Sequence, residues 1–166
     1  MLIPYAAAAY HPAIPAEGNV IHEKKWSQPR RIHSVSKEEI MPISSYYDKE
    51  KKVLHINLEG EVLLNDLDQL YKDIVTSREF PPDIRSIWDF RKTDFTLVNK
   101  NYMEKVFTVR KNYPERGNAR AAFVADNDLS FGVTRMYETL SSFELPQHIS
   151  VFRDFLEAEE WILSEE

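Results

Sequence analysis

Apolar and polar residues begin to alternate regularly at residue 43. Every second residue of Val53–Glu59 is apolar, which predicts a half-buried strand with His55 on its polar face. There His55 would be solvated or would contact a residue of the neighbouring strand. Ile43–Tyr47 precedes it as another strand, and the charged segment Asp48–Lys52 is typical of a hairpin connection. The domain should therefore open with two antiparallel strands.

Four later segments carry apolar residues at the spacing of an amphipathic helix. The first should begin after Asn65, which we expect to be its N-cap, and its buried face should consist of Leu67, Leu70, Tyr71, Ile74 and Val75. The second should span Leu97–Asn112, with one face formed by Val98, Tyr102, Val106 and Val109. A third helix should follow Asp126–Asp128 and present Phe131, Thr134, Tyr137 and Leu140 on one face. Asp154 should cap the last helix.

Three short segments separate these helices, and we expect each to be a strand: Ile84–Phe90, Arg120–Ala125 and His148–Phe152. The adjacent apolar residues Ile87 and Trp88, and the small and apolar residues after Arg120, are typical of strands covered on both faces of a parallel sheet. The predicted order is β-β-α-β-α-β-α-β-α. We therefore expect an α/β fold with a mostly parallel sheet of about five strands, an antiparallel first strand and four helices.

The amino-terminal segment, residues 1–40, has a different composition and contains four of the nine prolines. We expect it to be extended or partly disordered, with the domain over residues 41–166. Its apolar anchors include Tyr5, Tyr10, Ile14 and Trp26. They would let it dock on its own domain or pair with an exposed sheet edge, so a homodimer is one arrangement that the sequence allows.

The composition of the chain argues against several classes of function. The net charge of −6 argues against nucleic-acid binding, which needs clustered basic residues. No apolar run reaches the roughly 20 residues of a membrane helix. The absence of cysteine excludes thiolate catalysis and Cys-ligated zinc. A cytoplasmic location is the expectation.

Candidate catalytic and metal-binding groups are sparse. Asp89 and Asp94 could form a carboxylate pair for acid–base chemistry, but charges after a strand more often form a solvated turn. Asp126 and Asp128 have the spacing of cation ligands, but their position immediately before a helix favours N-capping. No glycine-rich phosphate loop or G-x-S-x-G elbow is present. We therefore predict no enzyme activity, no metal and no cofactor.

Aromatic residues recur near predicted strand ends and helix starts. They would line an apolar ligand pocket at the carboxyl edge of the sheet, or they would simply belong to the core. Gly132 lies inside a predicted helix, where close approach of a ligand or another backbone would favour glycine. The candidate pocket residues are Trp88, Phe95, Phe131, Gly132, Met136 and Tyr137.

Several local sequences occur in an order that resembles the SpoIIAA-like branch of the STAS superfamily over residues 43–163. They are the strand end Leu58-Glu59-Gly60-Glu61, the strand Trp88-Asp89-Phe90, the stretch Ala122–Met136 and the ending Val151-Phe152-Arg153-Asp154 with Glu157, Ala158 and Trp161. The resemblance implies a SpoIIAA-like fold and a non-enzymatic domain that binds a protein partner in signalling. The alternative is a carrier or sensor of a lipid-like or other apolar small ligand.

The resemblance also implies where a regulatory site would lie. Anti-sigma antagonists of this family carry a phosphorylated serine at the start of the second helix, and Val98 occupies that position here. Thr96 is the candidate replacement phosphoacceptor, since a phosphate is favourable at a helix N-terminus, and a simple N-cap is its alternative role. The predicted partner-binding surface consists of Arg91, Thr93, Asp94, Phe95, Thr96, Val98 and Asn99.

Overall fold

The structure, a computed structural model, describes residues 42–164, and the extension predicted over residues 1–40 lies outside them. Strands and helices follow one another in the predicted order. The strands are β1 (Ile43–Asp48), β2 (Val53–Gly60), β3 (Ser86–Thr93), β4 (Arg120–Val124) and β5 (His148–Phe152). The helices are α1 (Leu64–Thr76), α2 (Lys100–Lys111), α3 (Asp128–Glu144) and α4 (Phe155–Leu163).

The five strands form one sheet in the order β1-β2-β3-β4-β5. β1 runs antiparallel to β2, and each later pair is parallel, as helical crossovers require. The register aligns Ile56, Trp88, Phe123 and Val151 in one row across the sheet. The predicted α/β fold class, including its antiparallel first strand, is confirmed.

Each face of the sheet has its own hydrophobic cluster. On one face, strand residues such as Ile56 pack with buried side chains of α1, α2 and α3. On the opposite face, Val53, Ile87 and Val124 pack against Ala158 and Ile162 of α4. In the described part of the chain, no helix has the length and apolar character that crossing a bilayer requires.

Two helix starts differ from their predictions. α1 begins one residue before Asn65, because the Asp66 carboxylate accepts a hydrogen bond from the Leu63 backbone N–H at 3.1 Å and Leu63 becomes the N-cap. α2 begins at Lys100 rather than Leu97. Its cap is Asn99, whose side-chain oxygen accepts from the Tyr102 N–H at 3.0 Å. Thr96 is therefore not the N-cap of α2.

β3 is longer than predicted at its carboxyl end. It continues to Thr93 because its last residues pair with the end of β2, with Glu59 opposite Lys92 and Gly60 opposite Thr93. Arg91 and Thr93 follow the predicted strand Ile84–Phe90 in the sequence, but in the structure they lie on β3 itself. The connection to α2 is thus the six-residue loop Asp94–Asn99.

His55 is buried, so the solvated position predicted for it is wrong, whereas the alternative, a contact with a cross-strand neighbour, is found. Only 4% of its surface is exposed. The imidazole stacks on Tyr46 with ring centres 4.5 Å apart and lies 6.1 Å from the Phe155 ring of α4. The alternation within β2 could not show that α4 covers the second face of the strand.

The burial of His55 predicts a pH dependence of stability. Burial lowers the pKa of His55 below the ordinary value of 6.5. The negative charges of Asp48 and Glu159 raise this pKa and the positive charge of Lys51 lowers it, and the effect of burial is the largest. The unfolded chain therefore binds the proton more readily, so this contribution to stability is present above about pH 6.5 and is lost as the pH falls below it.

We expect His55→Phe, which retains an aromatic ring at this position, to reduce that pH dependence. Urea unfolding at about pH 7.5 and about pH 5.5 measures it, since these values bracket the ordinary histidine pKa. The wild-type protein should lose more stability between the two than the variant does. Identical losses, or an NMR titration of His55 with a midpoint above 6.5, would contradict the prediction.

Candidate functional site

A cavity of about 130 Å³ lies between the sheet and helices α1, α2 and α3. It opens towards the carboxyl ends of β2 and β3. The strands contribute Leu58, Trp88, Phe90, Thr93 and Phe123, and the helices contribute Leu67, Tyr71, Tyr102, Met103, Val106, Val133, Thr134 and Tyr137. The loops after β2 and β3 complete the wall with Glu61, Val62, Asp94, Phe95, Leu97 and Val98.

Aromatic rings form most of the inner wall. Phe123 lies at the centre, and its ring is 6.0 Å from Trp88, 5.1 Å from Phe90 and 5.7 Å from Tyr137. Phe95 extends this group from the loop to Phe90, at 5.7 Å. Such offset and edge contacts between rings make the wall rigid and apolar.

The loop Asp94–Asn99 covers one side of the cavity and is held at both ends. The Asp94 N–H donates to the Gly60 carbonyl at 2.8 Å, and the Asp94 carboxylate accepts from the Thr96 N–H at 2.9 Å. Hydrogen bonds from the backbone and side chain of Thr96 lower the pKa of Asp94. The Asn99 cap fixes the other end, so Phe95 and Val98 are positioned over the cavity.

The structure places only part of the predicted pocket at this cavity. Trp88, Phe95 and Tyr137 line it, whereas Phe131, Gly132 and Met136 do not. Met136 is 42% exposed, and the Phe131 ring lies 4.3 Å from the Arg153 guanidinium. A Cβ on Gly132 would meet no atom within 4 Å, so no close approach explains this glycine within the described chain.

The orientation of α3 accounts for this difference. Its buried face is formed by Ser130, Thr134, Tyr137 and Ser141, which includes two small hydroxyl residues in addition to the predicted Thr134 and Tyr137. Pattern rules count serine as polar, so the predicted face was rotated towards Phe131 and Leu140. Leu140 is in fact 41% exposed.

The predicted partner surface is divided between both faces of the sheet. Thr93, Asp94, Phe95 and Val98 line the cavity. Thr96 and Asn99 are exposed on the loop. Arg91 points to the α4 face, where its guanidinium lies 5.6 Å from the Phe155 ring. These residues therefore do not form one continuous surface.

Val98, at the position expected for a phosphorylated serine, is half-buried in the cavity wall. Thr96 lies three residues before the cap of α2 and adjoins the Asp94 carboxylate. A phosphate on Thr96 would meet that negative charge and would not lie at the helix N-terminus. Phosphorylation of Thr96 stays a prediction, without the electrostatic support expected for it.

The candidate carboxylates have partners. Arg91 binds Asp89 through both carboxylate oxygens, with a shortest distance of 2.6 Å. Burial raises the pKa of Asp89, and the hydrogen bonds from Arg91 outweigh this effect, so its pKa lies below the usual value. Asp128 accepts from Arg153 at 2.7 Å. Within residues 42–164, no group of three or more His, Asp or Glu side chains could hold a metal ion.

Sequence reasoning missed the part of the site contributed by α1 and α2. Tyr71, Tyr102 and Val106 belong to helical stripes that were assigned to the core. Their chemistry is that of core residues, and only the packing of the two helices leaves space between them and the sheet. The Tyr102 hydroxyl also donates to the Val62 carbonyl at 2.6 Å, which joins α2 to the loop after β2.

Comparison with known proteins defines the fold. No protein-family model matches the chain, and no curated protein matches its sequence. A solved structure does match: an uncharacterised protein of the DUF3478 family with a SpoIIAA-like fold from Shewanella loihica PV-4. It is 17% identical, with a TM-score of 0.51, over 72% of this chain and 91% of that one. The predicted SpoIIAA-like fold is thereby confirmed.

Proposed function

We propose that this SpoIIAA-like domain is a non-enzymatic binding domain that takes a compact apolar molecule into the cavity beneath the loop Asp94–Asn99. The observation that carries the proposal is an aromatic-lined cavity of about 130 Å³ at the carboxyl edge of the sheet. A dry engineered cavity of roughly 150 Å³ binds benzene. A ligand the size of one ring therefore fits better than a long acyl chain.

The cost of such a cavity also favours binding. The apolar walls of this cavity lack the dispersion contacts that close-packed side chains would make, and this loss lowers stability. A ligand that restores the missing dispersion contacts would recover part of that energy. This gain supplies a driving force for binding that needs no charged group.

A non-catalytic role agrees with the state of the carboxylates. Asp89 is held by Arg91 through two oxygens, and Asp94 accepts hydrogen bonds within its own loop. Both pKa values lie below the usual value, whereas a general base is most effective with a pKa near the working pH. These features support structural roles for both side chains.

Val106→Phe tests the proposal by filling the cavity from α2. We expect the wild-type protein to bind toluene saturably in calorimetric titrations and the variant to bind it at least tenfold more weakly, because the new ring occupies the same space. Thr108→Phe makes a similar change at an exposed position on the same helix and should leave binding intact. Absence of saturable binding to the wild-type protein would refute the proposal.

A protein partner at the same loop is the second candidate function. Its support is Leu97, which is 64% exposed beside Thr96. In this case Leu97→Asp should abolish co-purification of a specific partner. Leu156→Asp on α4, where the leucine is 66% exposed, should not. Retention of every partner by Leu97→Asp would count against this surface.

A further inference from the structure

The helix α3 carries a row of large apolar side chains on its exposed side. They lie alternately four and three residues apart: Leu129, Val133, Met136, Leu140 and Phe143. Val133 is half-buried, and the other four are exposed. We call this row the α3 stripe. Residues 42–164 contain nine exposed large apolar side chains, and four of them belong to the α3 stripe, so the exposed apolar surface is concentrated on this helix.

The buried face of α3 contains only one large side chain, that of Tyr137. The other buried residues of this helix are small and carry hydroxyl groups: Ser130, Thr134 and Ser141. An amphipathic helix ordinarily buries its large apolar side chains and exposes its polar ones. α3 does the reverse along most of its length. A continuous apolar surface of this kind marks a site of interaction.

The spacing of the α3 stripe matches a helical partner. Alternating steps of three and four residues form the heptad repeat with which two helices interlock their side chains. The acidic residues at the two ends of the stripe already have partners within the domain. Asp128 binds Arg153 at 2.7 Å, and Glu144 binds Lys111 at 2.5 Å. A second apolar helix can therefore pack along α3 without burying an unpaired charge.

A membrane surface matches the α3 stripe less well. Helices that lie on membranes carry lysine and arginine on their polar side, and these residues attract anionic lipids. α3 instead contains three acidic residues and one arginine: Asp128, Glu138, Glu144 and Arg135. The net charge of the whole chain is −6. Anionic headgroups would therefore repel this surface.

A second copy of α3 provides the matching helix. Because steps of three and four residues alternate, the repeat is the same when the stripe is read from either end, and two copies can pack antiparallel about a two-fold axis. With the axis level with Glu138, Met136 lies opposite Leu140 of the second copy. Val133 then lies opposite Phe143 of the second copy. This register sets the smallest side chain of the stripe against the largest.

Gly132 leaves space for this arrangement. It adjoins Val133, and a Cβ at this position would meet no atom within 4 Å. In the antiparallel pair, the strongly exposed ring of Phe143 comes from the second copy to this part of the helix. Glycine destabilises a helix interior relative to alanine, and close approach of a large ring is a reason to have it there.

We infer that the α3 stripe is an interface with a second copy of this chain, in which the two α3 helices pack antiparallel. The inference goes beyond the proposed function and does not depend on a ligand in the cavity. A stripe on a helix about 25 Å long is smaller than the roughly 800 Å² per partner of a standard interface. The dimer should therefore be weak, and dilute protein should be monomeric.

Sedimentation velocity of the full chain over a series of concentrations tests the interface. The wild-type protein should approach twice the monomer mass as its concentration rises. Phe143→Asp should weaken the dimer by at least about tenfold, because it buries a charge without a partner. Leu156→Asp is the matched control, since it adds the same charge at an exposed leucine of α4 and should leave the dimer intact. Circular dichroism checks that both variants are folded.

A mixture of two variants tests the antiparallel register. Met136→Lys and Leu140→Glu should each dimerise at least about tenfold more weakly than the wild-type protein, because each buries unpaired charges in its own dimer. An equimolar mixture should form a heterodimer at concentrations where neither variant dimerises alone, because the new lysine then lies opposite the new glutamate. A mixture that behaves as the sum of its components would overturn this register.

Three further results would overturn the interface itself. The first is a wild-type protein that stays monomeric throughout the series, and the second is a Phe143→Asp variant that dimerises as tightly as the wild-type protein. The third is a monomeric wild-type protein that sediments with vesicles of phosphatidylcholine and phosphatidylserine, together with loss of this binding in Phe143→Asp. That result would assign the α3 stripe to a lipid surface.

Discussion

Replacing Phe123 with alanine should lower the free energy of unfolding by about 3–5 kcal/mol. Phe123 is 6% exposed and lies on β4, in the central row of the sheet. Its ring contacts Trp88, Phe90 and Tyr137 and forms the inner wall of the cavity. Because a cavity already adjoins this ring, its removal joins two voids that the surrounding side chains cannot fill.

Urea unfolding followed by tryptophan fluorescence measures this change. The matched control is Phe143→Ala, since Phe143 is 85% exposed and its truncation should alter stability by no more than about 0.5 kcal/mol. Saturating toluene should restore part of the stability of Phe123→Ala, because a ligand that binds only the native state stabilises it. A loss below about 1 kcal/mol would show that the core closes around the missing ring.

Replacing Arg116 with alanine should cost about 3 kcal/mol or more. Arg116 is 3% exposed and binds Pro82 and Ile84 carbonyls at 2.7 and 2.9 Å and the Ser86 hydroxyl at 3.3 Å. Burial lowers its pKa to about 10, so it remains charged at neutral pH. Without it, acceptors at the start of β3 lose their donors, and each buried unsatisfied group costs about 1–3 kcal/mol.

The same unfolding experiment checks this prediction. Arg78→Ala provides the control, because Arg78 is exposed and its removal should change little. Arg116→Lys should recover only part of the stability, since a lysine ammonium cannot reproduce the planar array of guanidinium donors. A variant Arg116→Ala as stable as Arg78→Ala would mean that water replaces the lost donors at no cost.

The order of strands and helices followed from local periodicity. β5 has the predicted bounds, and β2 and β4 differ from theirs by one residue. The four buried residues of α1, Leu67, Leu70, Tyr71 and Ile74, all belong to the predicted stripe. These features are predictable because the apolar spacing within one element reports directly which side of that element is buried.

The errors fall where one element depends on another. The burial of His55 was not predicted because α4, a distant element in the sequence, covers it. The additional length of β3 was not predicted because it depends on pairing with β2. The orientation of α3 was misjudged because Ser130 and Ser141 are buried against other parts of the protein. Small hydroxyl residues fit such positions when the helix backbone accepts their hydrogen bonds, as it does for both.

The sequence by itself determined the SpoIIAA-like α/β order, the antiparallel first strand and the placement of aromatic residues near the ends of the strands. Only the tertiary structure decided which of those aromatics surround a cavity, because a void is the space left between packed elements and has no pattern of its own. It also decided that Tyr71 of α1 and Tyr137 of α3 both line that cavity. The two side chains reach it because α1 and α3 pack on the same face of the sheet.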